Sequence, residues 1–160
     1  MRSSRRGTLL TALVLGAIAA PASASGGATC AISTTPLAFG QYVPARNMPS
    51  DFTATLDLAC AASGASSVAF EGSISLVASG RGPELADGAN RLRYQLFADP
   101  ARTVPWGDGS AGSQSRAVSG LIGPATPLRA RFTIYGRILA RQPNAQVGNY
   151  TDQITAVLNY

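Results

Sequence analysis

The sequence predicts an all-β protein whose strands pack as two sheets in a sandwich. Two observations carry that expectation. Beyond residue 24, apolar residues alternate with polar ones more often than they recur at helical spacing. The alternating runs are also short, each bounded by Gly, Pro, Asn or Ser clusters that turn the chain. In a domain of this length that punctuation points to two packed sheets, with a closed barrel as the competing architecture.

Seven strands are expected in order. Ala31 to Phe39 reads as a broken first strand, interrupted by Pro36, which has no N–H to give a ladder. Phe52, Ala54, Leu56, Leu58 and Cys60 face one way on the second, with Thr53, Thr55, Asp57 and Ala59 facing the other. Val68, Phe70, Ile74 and Leu76 mark the third, with Gly72 expected at a bulge. Leu92, Tyr94 and Leu96 mark the fourth, and Ser115 to Ser119 a short fifth. Leu128 to Ile138 is the sixth, with Arg129, Arg131, Thr133, Tyr135 and Arg137 outward. The seventh is Ile154, Ala156, Leu158 and Tyr160, alternating with Thr155, Val157 and Asn159. Pro44 to Pro49, Ser79 to Asn90, Trp106-Gly107-Asp108-Gly109, Gly123 to Pro127 and Arg141 to Gly148 read as loops.

Residues 1–24 read as an address and not as structure. Arg2, Arg5 and Arg6 form a basic start, Leu9 to Ala20 an apolar run, and Ala22-Ser23-Ala24 a small-residue cleavage site. That run is shorter than a bilayer span requires, so no stable membrane insertion is expected. The chain is thus read as exported to the periplasm and then the cell surface or the medium. Ser4-Arg5-Arg6 leaves the general and twin-arginine routes both open. Residues 25–160 form one domain.

Charge and residue types narrow the function. Removing Arg2, Arg5 and Arg6 from thirteen basic residues leaves ten against eight acidic ones, a net of +2. So small an excess argues against a nucleic-acid partner. The sequence has no His, which removes the commonest general base and metal ligand. No cofactor, metal or catalytic residue is expected, and the protein is read as not an enzyme. Cys30 and Cys60, the only cysteines, are expected to form one disulfide in an exported chain. Trp106 and Asp108, in a Gly-rich loop, are candidates for a sugar-binding site, against the plainer reading of Trp106 as a packed side chain. Asp99 and Asp108 could form a carboxylate pair, against the plainer reading of solvated loop residues. Tyr150 is expected to make a contact like that of a tyrosine corner.

Several stretches in combination resemble one family. Cys30-Ala31-Ile32-Ser33 and Thr35-Pro36-Leu37-Ala38-Phe39-Gly40-Gln41-Tyr42 are similar to the opening of spore coat protein U domains. Cys60 falls at the end of the next strand, as in that family. Tyr94-Gln95-Leu96-Phe97, Asp99 to Arg102 and Trp106-Gly107-Asp108-Gly109 resemble its middle, and Tyr135-Gly136-Arg137-Ile138 with Gly148 to Tyr160 its end.

The resemblance implies an immunoglobulin-like β-sandwich that is incomplete, lacking its last strand. It implies a structural role at the cell surface, as a subunit of a pilus built by the chaperone–usher route. The implied partners are a periplasmic pilus chaperone, an outer-membrane usher and neighbouring pilin subunits. The implied mechanism is donor-strand complementation, a form of β-strand addition. The groove for the donor is then bordered by Ile154, Ala156, Leu158 and Tyr160, with Leu37 and Phe39 of the first strand. About four apolar side chains inserted there would contribute roughly 6–12 kcal/mol gross, comparable with the stability of a whole domain. Only Ser25 to Thr29 stand between the cleavage site and Cys30, without a large apolar group. The chain is therefore expected to accept a strand but not to give one, as a tip or minor subunit. A spore or cyst coat protein and a carbohydrate-binding adhesive domain are the alternatives.

Overall fold

The computed structural model describes residues 27–37, 42, 47–78, 83–146 and 150–160. The segment read as an export signal lies outside the described residues, and so does Phe39. Among these residues eight strands follow one another: β1 Ala28–Thr34, β2 Ser50–Ala62, β3 Val68–Ala78, β4 Glu84–Asp87, β5 Asn90–Phe97, β6 Arg116–Ile122, β7 Leu128–Ile138 and β8 Ile154–Asn159. Every strand pairing is antiparallel. The strands form a five-stranded sheet in the order β1-β2-β7-β5-β4 and a three-stranded sheet in the order β6-β3-β8. The chain is all-β and sandwich-like, with consecutive strands passing between the two sheets as in Greek-key folds.

The alternation seen in the sequence builds the core. On β2, Leu56, Leu58 and Cys60 are buried, and the intervening residues face outward. The β2–β7 ladder runs unbroken from Ser50↔Ile138 to Cys60↔Leu128 and sets the buried Ile134 opposite Ala54 and the buried Ile138 opposite Ser50, on the same face. Leu92, Tyr94 and Leu96 of β5 extend the same face. From the other sheet come Phe70, Ile74 and Leu76 of β3, with Val118 and Ile122 of β6. A residue of this kind moved from water into such an interior contributes about 1.5–3 kcal/mol.

The outer face of the five-stranded sheet is held by cross-strand charge pairs. Arg137 Nε and Nη2 donate to the two carboxylate oxygens of Asp51 at 2.6 and 2.7 Å. Arg131 makes the same fork to Asp57 at 2.6 and 3.2 Å. The ladder sets Asp51 opposite Arg137 and Asp57 opposite Arg131, so the pairs follow from β2–β7 register.

Four expectations are corrected. The Ser79 to Asn90 loop contains β4, whose four residues pair with β5 across a two-residue turn at Gly88 and Ala89. Gly88 sits at φ 57°, a left-handed value that glycine alone adopts without cost. The first strand starts at Ala28, ahead of the expected Ala31, and ends at Thr34, before Pro36. The short strand expected at Ser115 to Ser119 starts at Arg116 and reaches Ile122, because Val118 and Ile122 both find the core. Gly72 makes no bulge, since the β3–β6 ladder keeps constant register through it, with Gly72 opposite Val118. It is there for space: a Cβ at Gly72 would stand 2.8 Å from the Asn159 carbonyl oxygen.

Candidate functional site: the groove beside β8

β8 is a strand because Ile154, Ala156 and Leu158 alternate with Thr155, Val157 and Asn159, which gives one apolar face to bury. It pairs with β3 from Ala78↔Ile154 to Ser73↔Asn159. That pairing occupies one edge of β8. Among the described residues no strand pairs with its other edge.

The approach to β8 is fixed by three contacts. Thr151 and Ala86 of β4 exchange two backbone hydrogen bonds, at 2.7 and 3.0 Å. The buried Tyr94 donates its hydroxyl to Asp152 Oδ2 at 2.7 Å. Burial, and then the neighbouring carboxylate, push the Tyr94 hydroxyl well above the ordinary phenol range. Tyr150 donates its hydroxyl to the Gln146 carbonyl at 2.8 Å, four residues upstream, which is the backward bond of a tyrosine corner. At the far end, Tyr160 lies against Phe70 with ring centroids 5.5 Å apart.

The opposite wall is the end of β1. Cys30 and Cys60 stand directly opposite each other in the β1–β2 ladder and are joined by a disulfide, as the sequence led us to expect. Beyond Thr34, Thr35 N–H donates to the Thr55 carbonyl at 3.0 Å, and Thr55 N–H donates to Thr35 Oγ1 at 2.9 Å. The first wall is thus stapled to β2 covalently and then clipped to it by hydrogen bonds.

Between the walls runs a groove of about 350 Å³. Thr34 to Leu37 line one side and Asp152 to Ile154 with Ala156 the other. Its floor is Ala54, Ile134, Leu96 and Leu76, drawn from both sheets. Among the described residues nothing covers the core here. Ile154, Ala156 and Leu158 pack against the core but stay only partly buried, and so does Leu37. Tyr160 is 55% exposed. Of the residues named for this groove from the sequence, Leu37, Ile154 and Ala156 line it together; Leu158 and Tyr160 continue β8 beyond the open volume.

Sequence reasoning did not find Ala54, Tyr94 or Asp152 as part of the site. Ala54 and Tyr94 read as ordinary inward positions of their strands, and the Tyr94–Asp152 bond spans 58 positions in sequence. No local pattern signals either fact.

Trp106 is placed differently from an exposed sugar platform. Its side chain is 2% exposed, its Nε1–H donates to the Ile74 carbonyl at 2.9 Å, and its ring meets Phe132 edge-on at 6.0 Å. Its backbone N–H donates to the Leu96 carbonyl at 2.9 Å, while the Gly107 carbonyl accepts from Leu76 N–H at 3.3 Å. The segment therefore links the two sheets. Asp108 is exposed and caps its own loop, accepting from Ser110 Oγ at 2.6 Å and Ser110 N–H at 2.9 Å. Those bonds hold its carboxyl below the ordinary range. Asp99 likewise accepts from Val104 N–H at 2.7 Å and from Thr103, which holds its carboxyl low. Each carboxylate is engaged by its own loop.

Among the described residues, no helix is long and apolar enough to cross a membrane. No cluster of three or more potential metal ligands occurs among them either. No curated protein matches the chain. The family model for the Spore Coat Protein U domain matches residues 17–157, most of the sequence. With that match laid over an open two-sheet fold, the chain belongs to the Spore Coat Protein U domain family.

Proposed function

We propose that the protein is a structural subunit of the cell surface, a tip or minor pilus subunit assembled by a chaperone–usher route through donor-strand complementation. One observation supports the reading most directly: among the described residues, the inward row of β8 is half-buried above an open groove, and the edge of that same strand alongside it pairs with no other strand. A strand added there meets both needs at once. Its backbone satisfies the N–H and C=O groups of β8, and its alternate side chains fill the groove.

On this reading the chain is exported by residues 1–24, held in the periplasm by a chaperone strand, and passed through an outer-membrane usher to a neighbouring subunit. The role involves no catalytic step. Binding and completion of the fold are one event, so the partner stabilises by mass action. Deposition in a secreted coat is the second reading, favoured by the description of the matching family.

The test is co-expression of the exported chain with candidate periplasmic chaperones, followed by co-purification. We expect degradation or aggregation of the chain alone, and rescue as a one-to-one complex. We also expect Ala156→Asp, which sets a charge in the groove wall, to abolish the rescue. Full yield of stable monomer without a partner contradicts the proposal.

A further inference from the structure

Besides β8, the two sheets end at β1, β4 and β6, and these borders are not alike. Two of them carry protections against pairing from outside. Ala86 of β4 gives its outer N–H and C=O to Thr151. On β6, Arg116 stands opposite the buried Ile74, in the inward row, with its guanidinium 6.0 Å from the Phe132 ring centroid. A charge pointing inward at an edge discourages an added strand. β1 has neither device. From Ala28 to Thr34 it holds seven residues without a charge or a proline. Among the described residues, no strand pairs with its outer edge.

The hydrogen bonds that flank β1 fix which of its backbone groups face outward. Ser63 N–H donates to the Gly27 carbonyl at one end, and Thr35 N–H to the Thr55 carbonyl at the other. Register is constant between them. Odd positions therefore turn their N–H and C=O toward β2, while Ala28, Cys30, Ile32 and Thr34 turn theirs away from it. The side chains of Thr29, Ala31 and Ser33 are exposed on the outer face. Cys30 and Ile32 pack against the core but stay only partly buried.

We propose that the β1 edge pairs with the same edge of a second copy of this chain, antiparallel about a twofold axis at Ala31, joining the two five-stranded sheets into one. A twofold contact requires a surface that complements itself, and this strand does so. With Ala31 opposite Ala31 of the second copy, every outward-turned backbone group finds a match. Ala28 meets Thr34 of the second copy and Cys30 meets Ile32 of the second copy, each pair exchanging N–H and C=O. Each Ile32 then lies beside the other copy's Cys30 and gains apolar cover at the rim of the core. On the outer face Thr29 meets Ser33 of the second copy, so small side chains oppose one another and no like charges do. The pairing uses none of β8, so it does not depend on strand acceptance in the groove.

The experiment places single cysteines on the exposed outer face of the full chain, exported by its host, and reads covalent dimers on non-reducing gels. Peptide mass confirms in each variant that Cys30 and Cys60 remain joined to each other, so that folded chains are compared. Ala31→Cys should add a band at twice the monomer mass that reductant removes, because directly opposed residues lie within disulfide reach. Thr29→Cys alone and Ser33→Cys alone should stay monomeric, since each stands about 13 Å along the strand from its own counterpart. The same two chains expressed together should join. That mixed pair reads the register without altering Ala31, and so decides the matter if Ala31→Cys does not fold. Thr53→Cys, exposed on the same face of β2, should stay monomeric. A monomeric Ala31→Cys chain with its native bridge intact overturns the proposal. So does a mixed pair that joins no better than either chain alone, or a Thr53→Cys dimer as abundant as that of Ala31→Cys.

Discussion

Ile74 and Leu158 stand directly opposite each other in the β3–β8 ladder, on the same face of one sheet, yet Ile74 is fully buried and Leu158 is only partly buried. Neighbours on a shared face meet the same layer of the sandwich unless that layer stops between them. Among the described residues it stops here: the core covers β3 and thins out over β8.

The contrast gives a first prediction. Ile74→Ala should destabilise the chain by about 2–5 kcal/mol, with or without a partner strand bound. Leu158→Ala should cost the isolated chain less, because its side chain is already partly in water, and should reveal the remainder as weaker partner binding. Urea unfolding of both variants, free and in complex, measures the two effects separately.

The disulfide gives a second. It ties the strand that forms one wall of the groove to β2, and the bridged cysteines lie 30 positions apart. Chain entropy assigns a loop of that length about 3.7 kcal/mol. Cys60→Ser should therefore sharply lower the yield of exported protein, and reduction of the wild-type chain should lower its unfolding midpoint. Equal midpoints with and without reductant contradict the role given to the bridge.

A third concerns acid. The hydrogen bonds from Arg137 hold the Asp51 carboxyl below its ordinary 3.8, and those from Arg131 do the same for Asp57. Between the lowered folded values and 3.8 the unfolded chain binds more protons. The stability these pairs supply is therefore intact above 3.8 and is lost as pH falls through the folded values. Urea midpoints between pH 2 and 6 should decline below about pH 4, and Asp51→Asn should make that decline shallower. The Arg131–Asp57 pair is open to solvent and the Arg137–Asp51 side chains are 31% and 34% exposed, so the change should be modest and should shrink in high salt.

A fourth concerns base. Tyr94 holds its proton beyond the ordinary 10.0 of a phenol, by burial and by its bond to Asp152. The stability this supplies is complete below pH 10 and lost as pH rises through the higher folded value. Tyr94→Phe should remove that alkaline sensitivity while costing about 1 kcal/mol at neutral pH for the lost hydrogen bond. Unfolding curves from pH 8 to 11.5 check both halves.

A fifth separates Trp106 from ligand binding. With its ring buried and its N–H given to Ile74, Trp106→Ala should cost about 3–5 kcal/mol in stability. Trp106→Phe should cost less, while partner-strand binding by the folded fraction stays unchanged. Loss of binding in a fully stable Trp106→Phe would assign the residue a direct role.

The sequence made the long strands plain and the short ones obscure. β7 was legible end to end, because its alternation runs from Leu128 to Ile138 without a breaker. β4 was not: Glu84 to Asp87 holds one buried side chain, Leu85, and forms a strand because β5 folds back on it. Gly72 was noticed but misjudged, since a glycine in a strand signals a bulge and a close approach equally well, and only the position of Asn159 decides between them. For the groove, alternation marked Ile154, Ala156 and Leu158 as one face, and the family resemblance suggested what that face is for. Its floor could not be read, because Ala54, Leu76, Leu96 and Ile134 come from four strands that only the folded chain assembles.

The most direct test of the account is the urea midpoint of the exported chain, followed by Trp106 fluorescence, alone and with increasing amounts of an apolar strand peptide. The account predicts a marginal midpoint for the chain alone that climbs steadily with peptide concentration, as binding to the folded state requires. A high midpoint that no strand peptide moves would contradict it.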